Sequence, residues 1–226
     1  MKALLLNGPG QPFSIETIED PTPQKGYAVA KVLACGSGLT IQHVKAGRIT
    51  VNYPRIIGHE IIGEIVEING HGGDLEIGTP VTAFFYLTCG HCRWCNIDRE
   101  TLCDNFRGYI GREIDGGYAE YIKLPIENFI KIPEEIDYKN NLLETAVVCD
   151  AIATPLKIIK KARISSFDKV GVIGAGGGLG IHMLKMLKLN NISAIGIDTK
   201  TEKFNICNEN GAEFSVFPME NDLKNK

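Results

Sequence analysis

The chain is expected to fold in two parts. A β-rich domain should occupy residues 1–150, and an α/β domain of the doubly wound, parallel-sheet type residues 151–226. Three observations predict this. Short apolar runs punctuated by Gly, Pro and Asn/Asp fill the first part. Helical spacing takes over after Asn141. From Asp168 onward the pattern reads strand, glycine-rich turn, helix, strand.

In chain order, Tyr27–Leu33, Ile61–Ile68, Pro80–Phe85 and Tyr118–Leu124 are short apolar runs bounded by turn residues, and each predicts a strand. Over 142–161, Leu143, Ala146, Val147 and Ile152 recur at helical spacing, which predicts one helix. The cations at its end, Lys157, Lys160, Lys161 and Arg163, fit a solvated face near a helix C-terminus. Lys169–Ile173 then reads as a strand, 174–180 as the turn and Ile181–Leu189 as a helix. Ile192–Ile197 is a second strand, and Thr201–Asn210 a second helix closed by Gly211 as a C-cap. Phe214–Phe217 is a third strand, and Asn221–Lys226 reads as a frayed tail.

Composition narrows the function. At 44% hydrophobic and 23% charged residues, the chain has the balance of a soluble globular protein. A net charge of −3 gives no reason to expect nucleic acid or an anionic membrane as partner. The apolar run after Met1 is too short for a signal peptide, and no stretch approaches a membrane span. Four of the seven cysteines are clustered, which points to a reducing cytoplasm rather than to disulfides.

That cluster is Cys89, Cys92, Cys95 and Cys103, in the pattern C-x2-C-x2-C-x7-C. Four thiolates so close in sequence can complete a tetrahedral shell around one zinc ion, with no open position for substrate. Such a zinc braces a loop, here residues 86–106, and does no chemistry. The bacterial iron–sulfur run ends on a three-residue gap, whereas the gap here is seven.

The second chemical signal is the turn. Gly174, Gly176, Gly177, Gly178, Leu179 and Gly180 lie between a strand and a helix, where glycines let a pyrophosphate approach free N–H groups. The spacing is one residue longer than the strict G-x-G-x-x-G. Asp198, at the end of the next strand, is placed to accept from ribose hydroxyls and to repel a 2′-phosphate, so NAD(H) is expected over NADP(H). The other reading is a glycine-rich turn without a ligand.

Three features together resemble the zinc-containing, medium-chain alcohol dehydrogenase family: the four-cysteine lobe, the run Gly58-His59-Glu60-Ile61-Ile62-Gly63-Glu64-Ile65-Val66, and the nucleotide turn, in this order. The resemblance covers nearly the whole chain. It implies a GroES-like β domain followed by a Rossmann domain, and reversible hydride transfer between an alcohol or carbonyl substrate and NAD(H). It adds Thr154 and Lys203 to the cofactor contacts, and assigns a proton relay to Thr40 and His43. It also implies a catalytic zinc with His59, Glu60 and Asp150 among its ligands, and a homo-oligomer as the assembly.

Two departures stand out. The family segment Ala-Cys-Gly-x-Cys-x-Thr-Asp-x-His aligns without a gap to Ala34–His43, and it puts Gly38 where a ligand Cys belongs and Ile41 where an Asp belongs. Cys35 and Cys149 are the thiols nearest in sequence to the ligand positions. The other departure is length: three strands after Asp168 are half of a six-stranded dinucleotide sheet, so the chain is expected to be truncated at its C-terminus. Three readings remain open: a zinc alcohol dehydrogenase only partly represented, a zinc-independent relative keeping the structural lobe, and an inactive fragment.

Overall fold

The computed structural model describes residues 1–218, and the tail expected over 221–226 lies outside them. The fold divides into two compact units, Met1–Cys149 and Asp150–Lys226.

The first unit is built on antiparallel sheets. Strands β1 (Lys2–Leu6), β2 (Phe13–Thr17), β3 (Tyr27–Cys35), β4 (Arg55–Ile56), β5 (Ile61–Asn69), β6 (Pro80–Ala83), β7 (Tyr121–Pro125) and β8 (Phe129–Lys131) form two of them. The smaller has the order β2-β1-β4 and the larger β7-β3-β5-β6-β8. Helix α1 (Leu39–Lys45) lies between β3 and β4, and the short α2 (Leu142–Ala146) follows β8. β3 and β5 pair from Tyr27↔Asn69 to Cys35↔Ile61, with register shifts at Val29/Ala30 and Val32/Ala34. Gly63 permits their close approach, since a Cβ there would stand 2.5 Å from the Lys31 carbonyl oxygen.

Ile61, Ile65, Ala28, Ala30 and Leu124 are at most 1% exposed and form the centre of the core. Burying an isoleucine of this kind contributes roughly 1.5–3 kcal/mol. The strand expected to begin at Tyr118 begins at Tyr121, because the Tyr118 amide is instead bonded to the Ile57 carbonyl in a loop contact of 3.0 Å.

The helix expected to run unbroken over 142–161 is interrupted. α2 ends at Ala146, a π-helical turn covers Val148–Ile152, and α3 spans Ala153–Ala162. Pro155 gives the reason. It has no N–H to offer the Ala151 carbonyl, and its ring would clash there in a regular α-helix, so the backbone widens just before it. The buried face differs too: Leu143 is 73% exposed, while Ala146, Ala151 and Ile159 are buried.

The second unit continues from α3 with β9 (Lys169–Ile173), α4 (Gly178–Leu189), β10 (Ser193–Ile197), α5 (Phe204–Glu209) and β11 (Phe214–Val216). The three strands are parallel, in the order β11-β10-β9. Leu184, Leu187, Ala175, Ala194 and Cys207 are fully buried between helices and sheet. Helix α4 begins three residues earlier than its apolar periodicity indicates, inside the glycine turn, because Gly178 and Leu179 already adopt helical backbone behind the N-cap Gly177. The helix expected over Thr201–Asn210 opens with a 3-10 turn at Thr201–Lys203, and its C-cap is Asn210, with Gly211 following at φ +127°. Among the described residues no helix is long and apolar enough to cross a membrane.

Candidate functional site

The four cysteines come together. The lobe branches from the rest of the first unit at Leu87 and rejoins it at Arg107 and Gly108, and the neck is closed by backbone bonds of 2.9 Å (Leu87 to Gly108) and 2.8 Å (Arg107 to Leu87). Within the lobe, two 3-10 turns (Cys95–Ile97 and Glu100–Leu102) and left-handed backbone at Gly90 and Asp98 fold the thiols inward.

The sulfur separations are 3.5 Å for Cys92–Cys95, 3.5 Å for Cys103–Cys89 and 3.9 Å for Cys92–Cys103. All four ligand atoms lie within 4.8 Å of one another. Zinc–sulfur bonds of about 2.3 Å in a tetrahedron require sulfurs about 3.8 Å apart, so the donor set fits zinc. All seven cysteines are free thiols.

Little else holds the lobe. Ile97 is 57% exposed and Leu102 51%, so neither contributes a hydrophobic core. Asp104 gathers a bond from the Trp94 indole N–H at 3.1 Å and the Arg93 guanidinium at 3.3 Å. The Asn105 amide reaches the Cys89 sulfur at 3.8 Å, a second-layer contact that cysteine spacing does not reveal. The His91 amide holds the Cys89 thiol down at about 6, and the Cys95 amide lowers Cys92, while burial pushes Cys95 up to about 11. The set is therefore partly poised as thiolate, and full coordination must release protons.

The nucleotide turn is equally well formed. Gly174 takes φ +73°, a backbone open to glycine. A Cβ at Gly180 would stand 2.3 Å from the Gly174 carbonyl oxygen, so helix and turn touch there. The Asp198 carboxylate accepts from the Gly176 N–H at 2.8 Å and from the Lys200 N–H at 2.9 Å. Lys203 donates its ammonium to the Gly176 carbonyl at 2.7 Å. The N–H and the carbonyl of Gly176 are thus each held by a residue twenty or more positions away. Partial burial acts to raise the Asp198 carboxyl, but the Lys200 and Gly176 amides with the Lys203 charge outweigh it and hold it below the usual carboxylate range. Gly177 caps α4, and Leu179 is 50% exposed on its first turn. Thr154, on the first turn of α3, donates its hydroxyl to the Asp150 carboxylate at 2.8 Å.

Thr40 and His43 lie on α1, whose N-cap is Gly38. Nδ1 of His43 faces the Arg48 guanidinium at 3.3 Å. His59 and Glu60 lie between β4 and β5. The His59 ring stands 4.9 Å from the Phe85 ring, a neighbour the Gly-His-Glu run does not announce, and Glu60 is 5% exposed. Burial pushes the Cys35 thiol up. Among the described residues, the four cysteines are the one group of three or more His, Cys, Asp or Glu donors that converges on a point.

A β domain with a four-thiolate lobe, followed by a parallel α/β unit with a glycine turn and an acidic partner, is the arrangement of nicotinamide-dependent dehydrogenases. Residues 24–134 match the alcohol dehydrogenase GroES-like domain. An alcohol dehydrogenase of Geobacillus stearothermophilus is 31% identical over 226 residues, covering 98% of this chain and 65% of the relative.

Two solved structures superpose closely. An Escherichia coli alcohol dehydrogenase (RspB) in complex with NADH has a TM-score of 0.85 at 30% identity, over 98% of this chain and 63% of that one. The cobalt- and zinc-bound alcohol dehydrogenase of Pyrobaculum aerophilum has a TM-score of 0.86 at 29% identity, over 96% and 66%. The chain is similar to the zinc-type, medium-chain alcohol dehydrogenases, and spans somewhat under two-thirds of the length of the Geobacillus relative.

Proposed function

We propose that this chain carries the zinc lobe and the adenosine half of the cofactor site of an NAD(H)-dependent oxidoreductase that interconverts a small alcohol and its carbonyl compound. The observation that carries the reading is the Asp198–Gly176–Lys203 arrangement at the start of α4. It places a carboxylate beside a glycine turn whose helix N-terminus offers unpaired N–H groups to a pyrophosphate.

In this reading Asp198 and Lys203 receive the adenosine ribose. The backbone of Gly174, Gly176, Gly177, Gly178, Leu179 and Gly180 cradles the pyrophosphate, with Thr154 a further contact. The nicotinamide, when bound, supplies or accepts the hydride. Thr40 and His43 carry the substrate's proton. Cys89, Cys92, Cys95 and Cys103 hold a structural zinc with no open position. His59, Glu60 and Asp150 are the positions at which the family pattern would bring a catalytic zinc to the substrate. Position 38 supplies no thiolate to that set, so no step is assigned to such a metal here. The reading includes a cytoplasmic protein that associates with copies of itself.

Nucleotide binding tests the reading. Titration of the chain with NADH, followed by fluorescence or calorimetry, should show saturable binding that NADPH matches only at higher concentration. Absence of binding by either nucleotide would reject it, and equal affinity would reject the role of Asp198.

A further inference from the structure

The family pattern provides for two metal ions, and the first unit shows where this chain parts from it. The Glu60 carboxylate lies directly over the backbone of residues 36–38. A Cβ at Gly36 would stand 2.4 Å from Glu60 Oε2, so residue 36 has to be glycine for that carboxylate to lie where it does. A Cβ at Gly38 would stand 3.6 Å from the same oxygen, an ordinary contact. The backbone there is extended, at φ −79° and ψ 179°, and accepts any residue.

A thiol at 38 would therefore start beside the Glu60 carboxylate. A sulfur and an oxygen bound to one tetrahedral zinc are about 3.6 Å apart, which a side chain starting from that Cβ can reach. Two thiols of the unit lie outside the four-cysteine lobe, Cys35 and Cys149. Cys35 Sγ lies against Gly58 and Gly117, where added Cβ atoms would come within 2.7 and 3.0 Å of it. Cys149 Sγ points to the carbonyls of His59 and Ala146, at 3.7 and 3.9 Å.

We infer that the chain holds one zinc, in the four-cysteine lobe, where the family pattern provides for two, and that the difference is the side chain absent at residue 38. Without it the donors His59 and Glu60 lack the soft thiolate that favours zinc over harder cations. A Cβ at residue 38 meets only an ordinary contact in extended backbone, so a thiol placed there needs no rearrangement of the chain around it. The inference rests on the family reading above, and its test is independent of nucleotide binding.

Zinc per chain is measured by elemental analysis after dialysis, on the unaltered protein, Gly38→Cys and Gly38→Ser, with circular dichroism of each. One zinc in the unaltered protein and in Gly38→Ser, rising to two in Gly38→Cys, is the expected result. Two zinc ions in the unaltered protein would overturn the inference, as would a folded Gly38→Cys variant that stays at one. If Gly38→Cys fails to fold, cobalt titration of the unaltered chain decides. A single tight site with the absorption of a four-thiolate centre supports the inference, and a second tight site overturns it. NADH titrated into the same samples reports separately on the nucleotide reading.

Discussion

The Asp198 carboxylate accepts a hydrogen bond from the Gly176 amide at 2.8 Å, tying the end of β10 to the turn after β9. Asp198 therefore has two tasks, one structural and one facing the ligand. Asp198→Asn keeps the shape and removes the charge. It should weaken NADH binding about ten- to a hundredfold, since a hydrogen bond to a charged group contributes roughly 1.5–3 kcal/mol. It should also narrow the gap between NADH and NADPH, and parallel titrations check both.

The same carboxylate sets an acid dependence. Its folded-state pKa lies below the ordinary value, so its contribution to stability is present above the unfolded carboxyl pKa and is lost as pH falls through the folded one. Thermal unfolding from pH 7 down to pH 3 should show a steeper acid loss for the unaltered chain than for Asp198→Asn. Parallel curves would remove Asp198 from the account.

Gly180 and Gly178 separate packing from ligand approach. A Cβ at Gly180 would meet the carbonyl oxygens of Gly174 and Ala175 at 2.3 and 2.7 Å, so Gly180→Ala should destabilise the second unit by about 1–3 kcal/mol. A Cβ at Gly178 meets nothing within 4 Å, and alanine in a helix is favoured over glycine by about 0.5–1 kcal/mol. Gly178→Ala should therefore leave stability unchanged or raise it. If the pyrophosphate lies on this turn, NADH affinity should nevertheless fall. Denaturant unfolding and nucleotide titration of both variants make the comparison.

The zinc lobe should be all-or-none. Cys103 is buried at the centre of the sulfur set, and Ile97 and Leu102 leave the lobe no apolar core to fall back on. Cys103→Ser should release zinc and open residues 88–105 to protease, while the sheet of β7-β3-β5-β6-β8 remains folded. Unchanged zinc content in that variant would refute the four-cysteine site.

Glycine 36 and glycine 38 should respond oppositely to a methyl group. Gly36→Ala drives its Cβ onto the buried Glu60 side chain and should cost about 1–3 kcal/mol. Gly38→Ala, in open extended backbone, should stay within about 0.5 kcal/mol of the unaltered chain. Equal losses would show that the two positions are not distinguished by Glu60.

What the sequence determined by itself is local. Cys89, Cys92, Cys95 and Cys103 lie within one short segment, so their spacing alone brings the sulfurs together, and the lobe forms as read. The strand–turn–helix run from Lys169 and the glycine that follows the end of α5 are set by periodicity and backbone freedom, both visible in a few residues. The tertiary structure decided what depends on partners distant in sequence. Leu143 fits a helical stripe yet stands in solvent, because burial is settled by what the rest of the fold leaves uncovered. The helix expected over 142–161 breaks where Pro155 withholds an N–H, a cost that apolar spacing does not register. That Lys203 and Asp198 both hold the backbone of Gly176, and that Glu60 lies over Gly36 but beside Gly38, depends on packing between segments twenty or more residues apart. Spacing can bring donors together along one segment; only the folded backbone decides which distant side chain meets them.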